Sequence, residues 1–131
     1  MKGIITICGS TRFKTQYNEV NLELTLADYA VFSVGAFTHA SPSLKERITE
    51  EVKTRIDNLH FAKIDISQAI VVINKGSYIG ESTMNEIVHA LQQNKQIYWY
   101  EVAYNMRTNA HTVKTPKGVI YDALNWRNLL D

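Results

Sequence analysis

Four short apolar runs alternate with longer stretches in which apolar residues return every three or four positions. Residues 3–8 carry Ile4, Ile5 and Ile7. Residues 30–37 form a second run, residues 69–73 read Ala-Ile-Val-Val-Ile, and residues 96–100 read Gln-Ile-Tyr-Trp-Tyr. Runs of this length predict buried strands. Between them, Phe13, Tyr17, Val20, Leu24 and Ala27 predict one amphipathic helix. Leu44, Ile48, Val52, Ile56 and Leu59 predict a second, and Met84, Ile87, Val88 and Leu91 a third. Alternating strand and helix predicts an α/β fold, a Rossmann-like three-layer sandwich with a mainly parallel central sheet of four to five strands. Residues 103–131 form a tail of less regular pattern. Thr115-Pro116-Lys117-Gly118 predicts a turn there. Residues 119–130 fit either a closing helix or a strand followed by a helix, with Trp126, Leu129 and Leu130 placed to pack on the core or on another subunit.

The chain is organised around the loop that follows the third strand, from Asn74 through Tyr78, Gly80, Glu81, Ser82 and Thr83 to Glu86. Such strand-to-helix loops lie at the carboxyl ends of the strands, where open α/β sheets bind ligands. Thr83-Met84-Asn85-Glu86 admits two readings. One is a capping box, Thr83 capping the helix and Glu86 reaching back to it. The other makes Glu86 a catalytic carboxylate favoured as an anion by the helix N-terminus. Ser43-Leu44-Lys45-Glu46 reads as another capping box, with no chemistry attached.

The first strand ends in Gly9-Ser10-Thr11-Arg12 and leads into a helix. Backbone N–H groups and hydroxyls at such a helix start can bind an anion, and the Arg12 guanidinium suits phosphate. The alternative is an ordinary capped turn with Arg12 in solvent. The loop has neither the lysine and length of a Walker A loop nor the three-glycine dinucleotide pattern.

A length of 131 residues with 45% apolar content suits one domain, residues 1–131, with its own core. A formal net charge of +1 gives no broad drive toward a nucleic acid polymer or a membrane. A single cysteine, Cys8, excludes an internal disulfide and suits a reducing, cytoplasmic setting. No run reads as a signal peptide or a bilayer span. Cys8 is expected to be a buried structural thiol rather than a thiolate. His39, His60, His89 and His111 show no metal-ligand spacing, so no metal and no cofactor is expected. His60 reads as the solvated end of the second helix, within reach of Lys63 on the adjacent turn. Tyr17 is assigned to the core, and Tyr78 is the aromatic placed to serve a site.

Ile7-Cys8-Gly9-Ser10-Thr11-Arg12 resembles the opening of the deoxynucleoside 5′-monophosphate N-glycosidases, a branch of the nucleoside 2-deoxyribosyltransferase family. Thr83-Met84-Asn85-Glu86-Ile87-Val88-His89-Ala90 resembles that family's second motif. With residues 60–65 and 76–83, the pattern is most similar to small bacterial and phage members of the superfamily, over residues 3–101. The resemblance implies that Glu86 attacks the anomeric carbon of a deoxyribosyl group and displaces the base. It implies that Gly9, Ser10 and Arg12 hold a 5′-phosphate with support from Ser82, and that Asn74 and Tyr78 line the sugar or base; Gly80, Thr83 and His60 complete the expected binding set. Asp65, Glu81 and His60 are candidate proton donors. Where the transferases carry an aspartate six residues before the nucleophile, this chain has Gly80. The expected partner is a nucleoside or nucleotide, with a homodimer or higher homo-oligomer. A nucleotide-binding module without turnover is the alternative.

Overall fold

The computed structural model describes residues 1–35, 37, 42–101 and 110–131, with the backbone alone at Pro42, Ala110 and His111. The elements are β1 (Gly3–Gly9), α1 (Lys14–Leu26), β2 (Tyr29–Phe32), α2 (Pro42–Lys45), α3 (Glu50–Ile66), β3 (Ala69–Ile73), α4 (Glu81–Gln92), β4 (Gln96–Trp99), β5 (Ala110–Lys114) and β6 (Ile120–Asn125). A 3₁₀ turn, Lys75–Ser77, follows β3, and another, Trp126–Leu130, closes the chain.

All six strands share one sheet in the order β2-β1-β3-β4-β6-β5. Every pairing is parallel except that of β5 with β6. The sheet is thus larger than the four to five strands expected. The tail supplies the difference: β5 and β6 form a hairpin whose turn is the predicted Thr115–Gly118 stretch, with Gly118 at φ 83°. Of the two readings left open for residues 119–130, the strand followed by a helical turn is the one observed.

Strand alternation sorts the core into two layers. Ile5, Ile7, Val71 and Ile73 pack against Tyr17, Val20 and Leu24 of α1 and against Trp126 and Leu129. Cys8, Ile70 and Val72 face the other way, onto Ile64 of α3 and Ile87 and Ala90 of α4. The even-numbered residues of β1, Thr6 and Cys8, therefore look toward the α3–α4 layer, a placement that governs the site. The chain crosses from β2 on one side of β1 to β3 on the other. This makes the carboxyl ends of β1 and β3 the topological switch point of the sheet, where ligands enter such folds.

Several expected boundaries shift. The second strand, expected over residues 30–37, ends at Phe32. Beyond it the Ser33 carbonyl accepts from Lys63 Nζ at 2.7 Å, and Gly35 turns the chain at φ 80°. The loop over residues 38–41 and His39 lie outside the described residues. The long helix starts at Glu50 rather than near Leu44. Thr49 is its cap, accepting from Val52 N at 3.2 Å, with Glu50 and Glu51 in the first turn. Ser43 sits inside the four-residue α2 and caps nothing longer. Leu59, expected on the buried face, is exposed; His60 and Ile64 are the buried positions.

The capping box at Thr83 is also overturned. Helix α4 begins three residues earlier, at Glu81, with Gly80 as its cap and Met84 N donating to Gly80 O at 2.9 Å. Thr83 is a buried first-turn residue, and Glu86 lies in the second turn, too far along to reach the helix start. The physical reason is the buried face: Thr83, Glu86, Ile87 and Ala90 turn inward together, and an extra turn is needed to seat Thr83.

Candidate active site

Three elements bring one polar side chain each to a single buried point beneath the switch crevice. Cys8 comes from the end of β1, His60 from the middle of α3 and Glu86 from the second turn of α4. Cys8 Sγ lies 3.4 Å from His60 Nε2, and the same nitrogen lies 3.6 Å from Glu86 Oε1. Cys8 is fully buried, His60 is 3% exposed and Glu86 is 9% exposed.

Burial dominates the electrostatics. It pushes the Glu86 carboxyl up to about 8 from a usual 4.5. The Cys8 thiol and the Lys53 ammonium pull it down, while the Asp57 carboxylate pushes it further up. Burial brings His60 down to about 4, aided by Lys63 and opposed by Asp57. The Cys8 thiol is held well above its usual range by burial and then by Glu86. At neutral pH the resting cluster is therefore an acid, a neutral imidazole and a thiol. Above it, Lys53 Nζ pairs with Asp57 Oδ2 at 2.8 Å and reaches Ser82 Oγ at 3.5 Å. Lys53, Asp57 and His60 recur at helical spacing along one face of α3, so that face carries the charge toward Glu86.

The two loops flanking the crevice meet through Arg12 and Tyr78. The Arg12 guanidinium stacks on the Tyr78 ring at 4.2 Å and donates to Tyr78 OH at 3.3 Å. Its Nε donates to Ser10 Oγ at 3.0 Å. Gly9 stands at φ 147°, where a Cβ would lie 2.8 Å from Ile73 Cβ; only glycine lets β1 end this close to β3. Its carbonyl accepts from Tyr17 OH at 2.8 Å, so Tyr17 is a core residue that also braces this loop. Gly80 packs beside Tyr78, whose hydroxyl would be 3.4 Å from an added Cβ.

Other residues singled out in the sequence lie elsewhere. Asp65 sits low on α3, where its carboxylate meets His89 Nε2 at 2.6 Å. Glu81 is exposed in the first turn of α4, on the side that faces Lys117 of the hairpin turn across a cleft of about 320 Å³. Asn74 is buried, and its amide is spent on the backbone of Glu101. His60, expected at a solvated helix end, is instead at the centre of the cluster.

Sequence reading missed the Cys8–His60 contact and Asp57. The signal was present in part: a strand-end residue of even parity, and an i, i+3 pair, Asp57 and His60, on a helix that must cover that face. The register between β1 and α3 was lacking.

No protein-family model and no curated protein matches the sequence. Among solved structures, the chain is similar to a 2-deoxyribosyltransferase from the psychrotolerant bacterium Bacillus psychrosaccharolyticus. The TM-score is 0.55 and the identity 14%, over 98% of this chain and 90% of that one. The chain thus shares the fold of that transferase.

Proposed function

We propose that the protein cleaves the N-glycosidic bond of a nucleoside or nucleoside 5′-monophosphate, with Glu86 as nucleophile. One observation carries this reading. Glu86 is a buried carboxyl whose surroundings fall short of offsetting its burial: the Cys8 thiol and the Lys53 ammonium pull against it, and Lys53 is already paired with Asp57. Such a group costs stability and marks a site more often than a scaffold. Its place at the switch point of a sheet that shares the fold of a 2-deoxyribosyltransferase supports glycosidic chemistry.

In this reading the Glu86 oxygen forms a bond to C1′ as the bond from C1′ to the base nitrogen breaks. The bonding pair leaves with the base, which takes up a proton. Water or a second base then attacks C1′ and frees the carboxyl. Positive charge developing on the sugar stabilises the carboxylate that burial disfavours, so Glu86 ionises best when it is needed. Glu81, close enough to Lys53 to act on its charge, is the acid this reading uses to supply the proton; Asp57 is paired with Lys53, and Asp65 is engaged by His89. Arg12 and Ser10, bridged to Tyr78 over the crevice, take the 5′-phosphate, with the N-terminus of α4 and Ser82 in support. The exposed side chains of Leu22, Leu26, Leu59 and Ile66 offer apolar surface for the homo-oligomer that belongs to this reading, which light scattering would test.

The test is base release from a panel of nucleosides and 5′-monophosphates by wild type and Glu86→Gln. Glutamine is isosteric with the neutral acid, so circular dichroism should show an intact fold. Release that collapses in the folded variant supports the nucleophile. A second reading, a nucleotide-binding module without turnover, is favoured by the protonated resting state of Glu86. Binding of a monophosphate with no base release, unchanged in Glu86→Gln, would replace the first reading with it.

A further inference from the structure

We propose that Cys8, His60 and Glu86 form a binding site for a borderline-soft divalent cation of the zinc type, which competes with substrate for Glu86. The ion site goes beyond glycosidic cleavage and does not depend on it; only the competition with substrate rests on that reading.

The geometry is that of a ligand set. One sulfur, one imidazole nitrogen and one carboxylate oxygen all lie within 4.8 Å of one another. Zinc bonds of about 2.3 Å to sulfur and about 2.0–2.1 Å to nitrogen or oxygen give tetrahedral ligand separations of about 3.3–3.6 Å. The 3.4 Å between Sγ and Nε2 and the 3.6 Å between Nε2 and Oε1 match that scale. The three donors come from three separate elements packed on one core layer, so the set is assembled by the fold rather than by one flexible loop.

The donor chemistry selects the ion. Calcium and magnesium need oxygen ligands in larger number. A thiolate with an imidazole and a carboxylate suits zinc and its neighbours in the first transition row. Charge also balances. A dication held by one thiolate, one carboxylate and one neutral imidazole is neutral overall, so the buried point gains no net charge when the ion replaces two protons. Three protein ligands leave a fourth position for water. The Glu86 side chain, 12% exposed, is the donor that meets solvent, and it marks the way in. An ion there occupies the oxygen that would attack C1′, so the loaded protein is closed to substrate.

The test uses cobalt(II) as a coloured substitute for zinc on chelator-treated full-length protein. The expected result is one ion per chain, the strong visible bands of a four-coordinate site and a near-ultraviolet thiolate-to-cobalt charge-transfer band, all abolished by added zinc. In Cys8→Ser the charge-transfer band should vanish. Zinc affinity, measured against a chromophoric chelator, should fall roughly tenfold or more, since even outer-shell partners are worth about 10–100-fold. A weak six-coordinate spectrum without the charge-transfer band in wild type overturns the proposal, as does unchanged zinc affinity in a folded Cys8→Ser. Should Cys8→Ser fail to fold, the wild-type spectrum decides alone. None of these readouts uses a nucleoside, so a failed base-release assay leaves them intact, and their failure leaves that assay standing.

Discussion

His60 Nε2 lies 3.6 Å from Glu86 Oε1, across the seam between α3 and α4, and burial drives the two groups in opposite directions. The imidazole is brought down to about 4 and the carboxyl raised to about 8. Both are neutral at rest, and a buried pair that is neutral needs no counterion. That is how the fold holds two titratable groups in an apolar layer.

The pair makes stability depend on pH in a characteristic way. Glu86 holds its proton in the folded state up to about 8, while an unfolded glutamate loses it near 4.5, so its contribution falls as pH rises through that window. His60 stays neutral in the folded state down to about 4, while the unfolded ring takes up a proton below 6.5, so its contribution is lost as pH falls. Between about 4.5 and 6.5 the two slopes cancel. Above 6.5 only the Glu86 slope remains. Urea unfolding should lose about 1 kcal/mol from pH 6.5 to pH 8 in wild type, and Glu86→Gln should remove that decline. A wild-type stability flat across this range would contradict the neutral resting pair.

How much of this was legible beforehand follows from periodicity. The four apolar runs became β1 to β4: β3 is buried throughout and β1 along its middle, as parallel strands covered on both faces are, while β2 and β4 are only partly buried. The α4 start was misplaced because Thr83-x-x-Glu86 imitates a capping box, and nothing local reveals that both residues face inward. Asn74 entered as a site residue through the family resemblance; its bonds to Glu101 are a tertiary fact that no local pattern shows. The Cys8–His60–Glu86 cluster joins positions 8, 60 and 86, and only the packing of α3 and α4 on β1 brings them together. Of the hairpin, the turn and one open reading of residues 119–130 pointed to β6, whereas β5 escaped notice because it is short and shows neither period clearly.

Activity should follow the ionisation of Glu86. A nucleophilic carboxylate must be deprotonated in the free enzyme, and here burial places that step near 8. The profile of kcat/KM for base release should therefore rise with pH to a midpoint near 8. A limb centred near 4.5, the ordinary glutamate value, would mean that the reacting carboxyl is not the buried Glu86.

Arg12 should set the preference for monophosphates. Its planar guanidinium is already oriented by Tyr78 and Ser10, so little freedom is lost when phosphate arrives. Charge-assisted hydrogen bonds of about 1.5–3 kcal/mol correspond to about 10–100-fold in rate. Arg12→Ala should lower kcat/KM for 5′-monophosphates by that factor and leave unphosphorylated nucleosides nearly unchanged. An equal loss for both substrate classes would make Arg12 a support for Tyr78 rather than a phosphate ligand.

Asn74 offers a test that separates scaffold from substrate contact. Its Nδ2 donates to Glu101 O at 2.6 Å, and its Oδ1 accepts from Glu101 N at 2.8 Å. Asn74 is 3% exposed but Glu101 is exposed, so both bonds sit at the edge of the core. They tie the end of β3 to the residue beyond Tyr100, and the loop that carries Tyr78 starts at this anchor. Asn74→Ala removes both bonds from a part-buried anchor and should cost about 1–2 kcal/mol in urea unfolding. Asn74→Asp keeps the acceptor and loses the donor, so it should cost less at low pH, where a protonated acid can donate, than at pH 7. Because the amide is fully engaged, KM should change only as far as the Tyr78 loop loosens. A large rise in KM with unfolding free energy unchanged would show the opposite, that Asn74 touches substrate and that its bonds to Glu101 open when substrate binds.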